Sequence, residues 1–207
     1  MSNEGLVKTY TASATVNPRR IIKFGSADRI AAQASASSDK FAGVAVLPVG
    51  TTAASGDPFD VAKSGIVNVD FGGTITRGDR LTADSDGKAV SAEAMFGSKT
   101  FIATGGSAGN ITATGIATTD VLEAVLYYAI SVDTGTSASG NKVTNVTDLT
   151  SEFTITAANT INNTGGTSTA DGKLEVRYRR NINIIGISEV SGVSGDIGKV
   201  LIQHGRT

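Results

Sequence analysis

The 207-residue chain has no cysteine, one histidine and three prolines. Without thiols it can hold no disulfide, no Cys nucleophile and no thiolate metal site. The single imidazole, His204, stands three residues from the C-terminus, so a Ser-His-Asp triad would hang on a terminal residue. A surface or strand-edge place suits it better. Charged residues make up 18% and aromatic residues 5% of the chain, whereas long amphipathic helices would need more Leu, Glu and Lys. No run approaches the roughly eighteen apolar residues of a membrane span. Met1-Ser2-Asn3-Glu4-Gly5 lacks the basic start and apolar core of a secretory signal. The expectation is a soluble protein made in the cytosol, with no membrane partner.

What is abundant is Gly, 25 residues of it, with Ser, Thr and Ala, a composition that suits short strands and tight turns. The stretch from Gly65 to Val90 carries the clearest pattern. Ile66, Val67 and Val69 alternate with Asn68 and Asp70, Gly72-Gly73 can turn the chain, and Asp84-Ser85-Asp86-Gly87 before Lys88-Ala89-Val90 signals a hairpin. Two or three short antiparallel strands are predicted there. Before it, Arg19 to Phe24 reads as a strand and Gly25 to Asp28 as a turn. Arg29 to Ala36 is Ala-rich and open to a helix, but its place after a short turn favours a returning strand. Phe41 to Val46 is a buried strand.

Two segments echo each other. Gly43-Val44-Ala45, Ser55-Gly56-Asp57 and Val61 correspond in order to Gly186-Ile187-Ser188, Ser194-Gly195-Asp196 and Val200. They mark either an internal repeat or a recurrent Gly-Asp turn, seen again at Gly78-Asp79. The segment between has another texture: Gly105 to Thr119 is Gly-, Ser- and Thr-rich, and Gly135 to Asn141 reads as a flexible loop. Phe153 to Thr156 and Lys173 to Arg179 alternate as half-buried strands do. Asp120-Val121-Leu122-Glu123 fits a helix capping box, but Tyr127, Tyr128, Ile130 and Val132 favour a strand. Residues 97–180 are thus expected as a β-sandwich-like insertion into a β domain made of 19–96 and 181–207, with 1–18 as an extended arm.

Other motifs carry no chemistry. Asp84-Ser85-Asp86-Gly87 begins like a calcium loop, yet Lys88 holds its fifth position and Met95 its twelfth. Gly105 to Asn110 lacks the Lys-Ser/Thr of a phosphate-binding loop. Arg77-Gly78-Asp79 is best read as a turn. Asn110, Asn145 and Asn162 head acceptor-like triplets that mean little without a secretory signal. Residues 1–40 hold six Lys or Arg against three acids, 41–170 six against twelve, and 171–207 six against four. That excess is small for a dedicated nucleic-acid binder. No catalytic, cofactor-binding or metal-binding residue is assigned.

Arg19 to Asp28, Phe41 to Ala45, Val61 to Val67, Thr76 to Thr82 and Asp86 to Val90, with Ile185 to Ile187, Gly195-Asp196 and Val200 to Ile202 at the end, together resemble the tailed-phage head decoration family, also called cement proteins. The weight lies in their order and spacing, over about half the chain, and residues 97–180 depart from the pattern. The piece from Thr147 to Ile155 through Asn162 to Gly166 is similar to modules of other phage head proteins.

The resemblance implies an all-β protein, a small barrel or tulip-like decoration domain carrying the insertion. It implies a non-enzymatic protein bound to the outer surface of the head as a homotrimer on the major capsid protein, hence located on the virion. A receptor- or carbohydrate-binding β module of a virion or cell surface is the alternative. The N-terminal arm is expected to carry capsid contacts, with Tyr10 and Val16 as anchors and Lys8, Arg19 and Arg20 facing acidic surface. Its deletion over residues 2–16 is expected to leave the β domains folded.

Overall fold

A computed structural model describes residues 3–95, 97–105, 109–132, 141–169 and 172–206. The Gly-rich stretch at 135–140 and residues 106–108 lie outside these. The chain divides into two compact units, Met1–Met95 with Asn181–Thr207, and Phe96–Arg180. Among the described residues the regular structure is β throughout, apart from two short 3-10 turns at Glu93–Met95 and Thr150–Glu152.

In chain order the first strands are β1 (Asn3–Glu4), β2 (Val7–Ala12), β3 (Ile21–Phe24), β4 (Ile30–Gln33), β5 (Phe41–Val46), β6 (Pro58–Ala62), β7 (Gly65–Asp70), β8 (Arg80–Ala83) and β9 (Ala89–Ser91). Next come β10 (Ser98–Thr104), β11 (Gly109–Thr112), β12 (Val121–Val132), β13 (Asn141–Asp148), β14 (Phe153–Ala157), β15 (Thr160–Asn163) and β16 (Gly172–Arg179). The last are β17 (Asn183–Ser188) and β18 (Ile197–Arg206). The returning strand after the Gly25 to Asp28 turn is β4. Of the three strands between Gly65 and Val90, β8 and β9 form the hairpin, while β7 pairs with β1 and β18 instead.

The first unit holds a closed barrel, in the order β2-β4-β3-β5-β6. All its pairs are antiparallel except β2 with β4, where Thr11 and Ala12 lie beside Ile30 and Ala31. The N-terminal stretch is therefore a barrel strand, contrary to the expected arm. Tyr10 is 4% exposed and Val16 fully buried, in one core with Ile22, Phe59 and Val61. The stretch looked too poor in apolar residues to pack, yet a barrel strand turns only alternate side chains inward. Tyr10 and Ala12 suffice, because much of the lining around them is Ala.

The other sheet of this unit runs β1-β7-β18-β17-β8-β9 and repeats the barrel strand for strand. β7 takes the place of β2, β18 of β6, β17 of β5, β8 of β3 and β9 of β4. The wiring recurs too. Gly56 donates its N–H to the Ala12 carbonyl at 2.8 Å and Gly195 to that of Phe71 at 2.9 Å. Val16 bridges Ala53 as Ile75 bridges Gly192, and the parallel closure recurs as a bridge from Phe71 to Ala89. Gly43, against the Ala62 carbonyl, corresponds to Gly186 against that of Leu201, where a Cβ on either glycine would clash with the partner strand. The echo in the sequence is thus a structural duplication.

The two repeats fill their interiors differently. Ala12, Ala53 and Phe59 in the first correspond to Phe71, Gly192 and Gly198 in the second. One ring is supplied from opposite strands. The chain between β4 and β5 is the short loop Ser35 to Lys40, whereas the corresponding stretch between β9 and β17 contains the whole second unit.

That unit has a four-stranded sheet, β10-β16-β12-β13, and a three-stranded one, β11-β15-β14. Between them lie Val125, Phe153, Ile161, Leu174 and Val176, all buried. Strand β16 alternates inward Leu174, Val176 and Tyr178 with outward Lys173, Arg177 and Arg179, as half-buried strands do. The strand reading of Val121 to Val132 holds over the capping-box one.

Candidate functional site

Residues at the ends of β2, β3 and β6 surround one mouth of the first barrel. Alternation that puts Tyr10 and Ala12 inside also aims Lys8 at this mouth, and Phe24 and Lys63 follow Ile22 and Val61 in the same way. Tyr10 forms its floor. The ring of Phe24, 47% exposed, meets that of Tyr10 edge-on at 6.3 Å between centroids. Lys63 donates to the Tyr10 hydroxyl at 3.2 Å, and its ammonium lies 5.0 Å from the Phe24 ring centre. The Lys8 ammonium stands 5.3 Å from the Tyr10 ring. Cations placed over aromatic faces in this way are attracted by the ring quadrupole.

Three shallow grooves of about 310 to 320 Å³ adjoin here, and they also take in Arg29, Lys40 and His204. The acids nearby are few. Asp28 shares a groove with Arg29, and Asp60 accepts the Thr9 hydroxyl at 2.6 Å. The ordinary pKa of His204 is lowered, first because packing around the ring disfavours its charged form and then because the Lys63 ammonium repels a second charge. A smaller groove, lined by Val49 and Ile197, includes Arg19.

Of the five residues singled out in the sequence, the structure brings Lys8 and Tyr10 together at the mouth and sends the others elsewhere. Tyr10 and Val16 are core residues, so neither is a free anchor. Arg19 and Arg20 both bind the Asp70 carboxylate, Arg19 through Nε at 2.6 Å and Arg20 through Nη1. Phe24, Lys63, Arg29 and Lys40 were not singled out. Their signal is a comparison between repeats, since Lys8, Phe24 and Lys63 correspond to Val67, Ala83 and Ile202.

Two turn motifs are used up by their own backbone. Asp79 Oδ2 accepts the Thr76 N–H at 2.9 Å, which holds Arg77-Gly78-Asp79 in a closed turn. Asp84 Oδ1 accepts the N–H groups of Asp86 and Lys88, each at 2.8 Å.

A family model described as phage cement protein matches residues 2–133, which is more than half of the chain and spans the first barrel, the start of the second repeat and the first strands of the inserted unit. The chain belongs to the phage cement protein family. Comparison with curated proteins gives no match. The family is a structural one of phage capsids.

Proposed function

We propose that this cement protein binds the outer surface of a phage head and stabilises the assembled shell without catalysing a reaction. Family membership over the first barrel and the start of the second repeat carries this reading, and the cationic, aromatic mouth supplies a surface suited to a protein partner. The partner is the major capsid protein. The bound form is a trimer, because closed cyclic symmetry lets identical chains satisfy one another's surfaces at three-fold positions of a shell. Synthesis takes place in the host cytoplasm and the working location is the virion.

The test is addition of purified protein to undecorated capsids. Saturable binding at a fixed stoichiometry, with a rise in the temperature at which the capsids release their DNA, is the expected result. Mass measurement on decorated particles is expected to find copies in threes. Binding to glycans with none to capsids would instead favour a receptor- or carbohydrate-binding module.

A further inference from the structure

The second repeat shows what the mouth of such a barrel does. Its own mouth residues, Val67, Ala83 and Ile202, are buried in one cluster with Ile21, Ala34, Val44 and Ala62, which line the side of the first barrel. The contact is sealed by main-chain bonding, because Ile21 donates its N–H to the Gly87 carbonyl at 2.7 Å. The repeats are therefore joined head to tail, mouth to side. Among the described residues of the first unit, no barrel side covers the mouth of the first barrel in this way.

A second copy of the chain is a poor occupant for it. The side of the second repeat that matches Ile21, Val44 and Ala62 is Arg80, Ile187 and Leu201, and it is already capped. Glu93 accepts the Arg80 N–H at 3.0 Å and its guanidinium at 2.9 Å through each of two nitrogens. The N–H that docks a neighbour in the first repeat is thus satisfied locally in the second, as at the end of a repeat array.

The open mouth has instead become cationic. Six cations of the first unit have no carboxylate partner among the described residues: Lys8, Arg29, Lys40, Lys63, Arg77 and Lys199. Four of them line the mouth grooves. Arg29 holds φ of 63° at the place where the second repeat has Gly87, with φ of 67°. A charged side chain in that left-handed conformation costs backbone strain that glycine avoids.

We propose that the open mouth of the first barrel, with Lys8, Arg29 and Lys63 around Phe24, docks an acidic segment of the shell protein. This rests on the capsid-binding reading and names the surface and partner chemistry for it. Carboxylates of the segment meet the lysines, and an apolar side chain covers Phe24 as the first barrel covers Ala83 in the second repeat. Tyr10 and Ile22 beneath are held by the barrel core, so the site is rigid before binding.

Two measurements test this. In the first, polyglutamate is titrated into the full chain and backbone amide shifts are followed by NMR. Shifts confined to residues around 8–10, 24–30 and 63 are expected; none, or equal shifts at Arg77 and Lys199, would overturn the site. Tighter binding of duplex DNA at the same residues would overturn its assignment to an acidic protein.

In the second, undecorated capsids are titrated with wild type, with Lys8→Glu/Lys63→Glu and with Arg77→Glu/Lys199→Glu. The mouth variant is expected to bind at least about tenfold more weakly and the control within about twofold of wild type. Because Lys63 supports Tyr10, Lys8→Gln/Lys40→Gln, at two exposed positions, serves as a milder variant, with a several-fold loss expected. Wild-type affinity in a folded mouth variant would overturn the site, as would a variant that abolished self-association alone. Failure of wild type to bind capsids would remove the capsid reading, while the polyglutamate result still decides the site.

Discussion

Phe71 and Gly198 form a sharp residue-level dependence in the fold. A Cβ built on Gly198 would stand 1.8 Å from the Phe71 Cζ, so Gly198→Ala must displace the ring or the strand. Overpacking of this kind costs about 1–3 kcal/mol, and Phe71→Ala, which empties the same space, about 3–5 kcal/mol. The first repeat shows the alternative solution, Ala12 facing Phe59. The double variant Phe71→Ala/Gly198→Phe is therefore expected to be more stable than Phe71→Ala alone in urea unfolding. A double variant that loses the sum of both single costs would mean the repeats are not interchangeable at this layer.

His204 sets a pH dependence at the same scale. Its neutral form is favoured in the folded state, chiefly by packing around the ring and secondly by Lys63. A group depressed in this way contributes stability that is present above its unfolded pKa of about 6.5 and is lost as pH falls through the lower folded value. The melting temperature is expected to drop as the pH falls below about 6.5, and His204→Gln to flatten that drop. An unchanged slope in the variant would assign the effect to other groups.

At the scale of elements, one turn occurs five times among the described residues. In Ala36–Asp39, Ala54–Asp57, Thr76–Asp79, Ala117–Asp120 and Val193–Asp196 the Asp carboxylate accepts the first residue's N–H at 2.8–3.0 Å. In each the Asp N–H returns a bond to the first carbonyl at 3.0–3.2 Å. Asp57→Ala and Asp196→Ala are each expected to cost about 1 kcal/mol, the worth of a side-chain bond to a backbone donor near the surface. Asn at the same positions should keep most of it, which chemical denaturation can measure.

The Gly-Asp pairs made three of these turns readable in the sequence. The other two have Ser38 and Thr119 before the Asp, and nothing local announces them. The repeat was legible through Gly43 and Gly186, where a close strand allows no side chain. It was obscured elsewhere because Phe71 replaces Ala12 and the large residue changes strands. Strand β2 was missed for a related reason, since its inward residues are only Tyr10 and Ala12 and its neighbours in the barrel are far off in sequence.

Deleting residues 2–16 tests the consequence. Loss of β2 unpairs both β4 and β6 and removes Tyr10, Ala12 and Val16 from the core. The truncated protein is expected to lose the cooperative unfolding of the first barrel by circular dichroism, rather than to fold and bind weakly. The mouth site was half legible for the same topological reason. Lys8 and Tyr10 stood out as the charged and aromatic residues of a polar stretch, but Phe24 and Lys63 acquire meaning only once β3 and β6 are known to end beside them.

For the whole molecule, the manner in which the second unit leaves and rejoins the chain decides whether it is a removable part. It begins with β10 and ends with β16, and these are antiparallel neighbours in which Ser98 lies opposite Arg179. Facing residues in such a ladder are only about 4.5–5.5 Å apart. A two-residue Asn-Gly turn spans that gap with the twist a hairpin needs. We propose that the second unit is an insertion into the β4–β5 position of the second repeat, which in the first repeat needs only the loop Ser35 to Lys40. The re-entering chain does not depend on the insertion for its place, because Asn183 donates its backbone N–H to the Ser37 carbonyl at 2.7 Å and its side-chain amide to those of Ser38 and Asp39. Replacing residues 99–178 by Asn-Gly is therefore expected to give a protein that unfolds cooperatively with a melting temperature within a few degrees of the first unit's own transition. The excised segment 97–180, which retains Val125, Phe153, Ile161, Leu174 and Val176 as its own core, is expected to fold separately. Capsid binding by the shortened protein should match that of the full chain, since the mouth of the first barrel is untouched. A shortened protein that is unfolded, beside a folded 97–180 fragment, would show that the second repeat depends on the insertion after all.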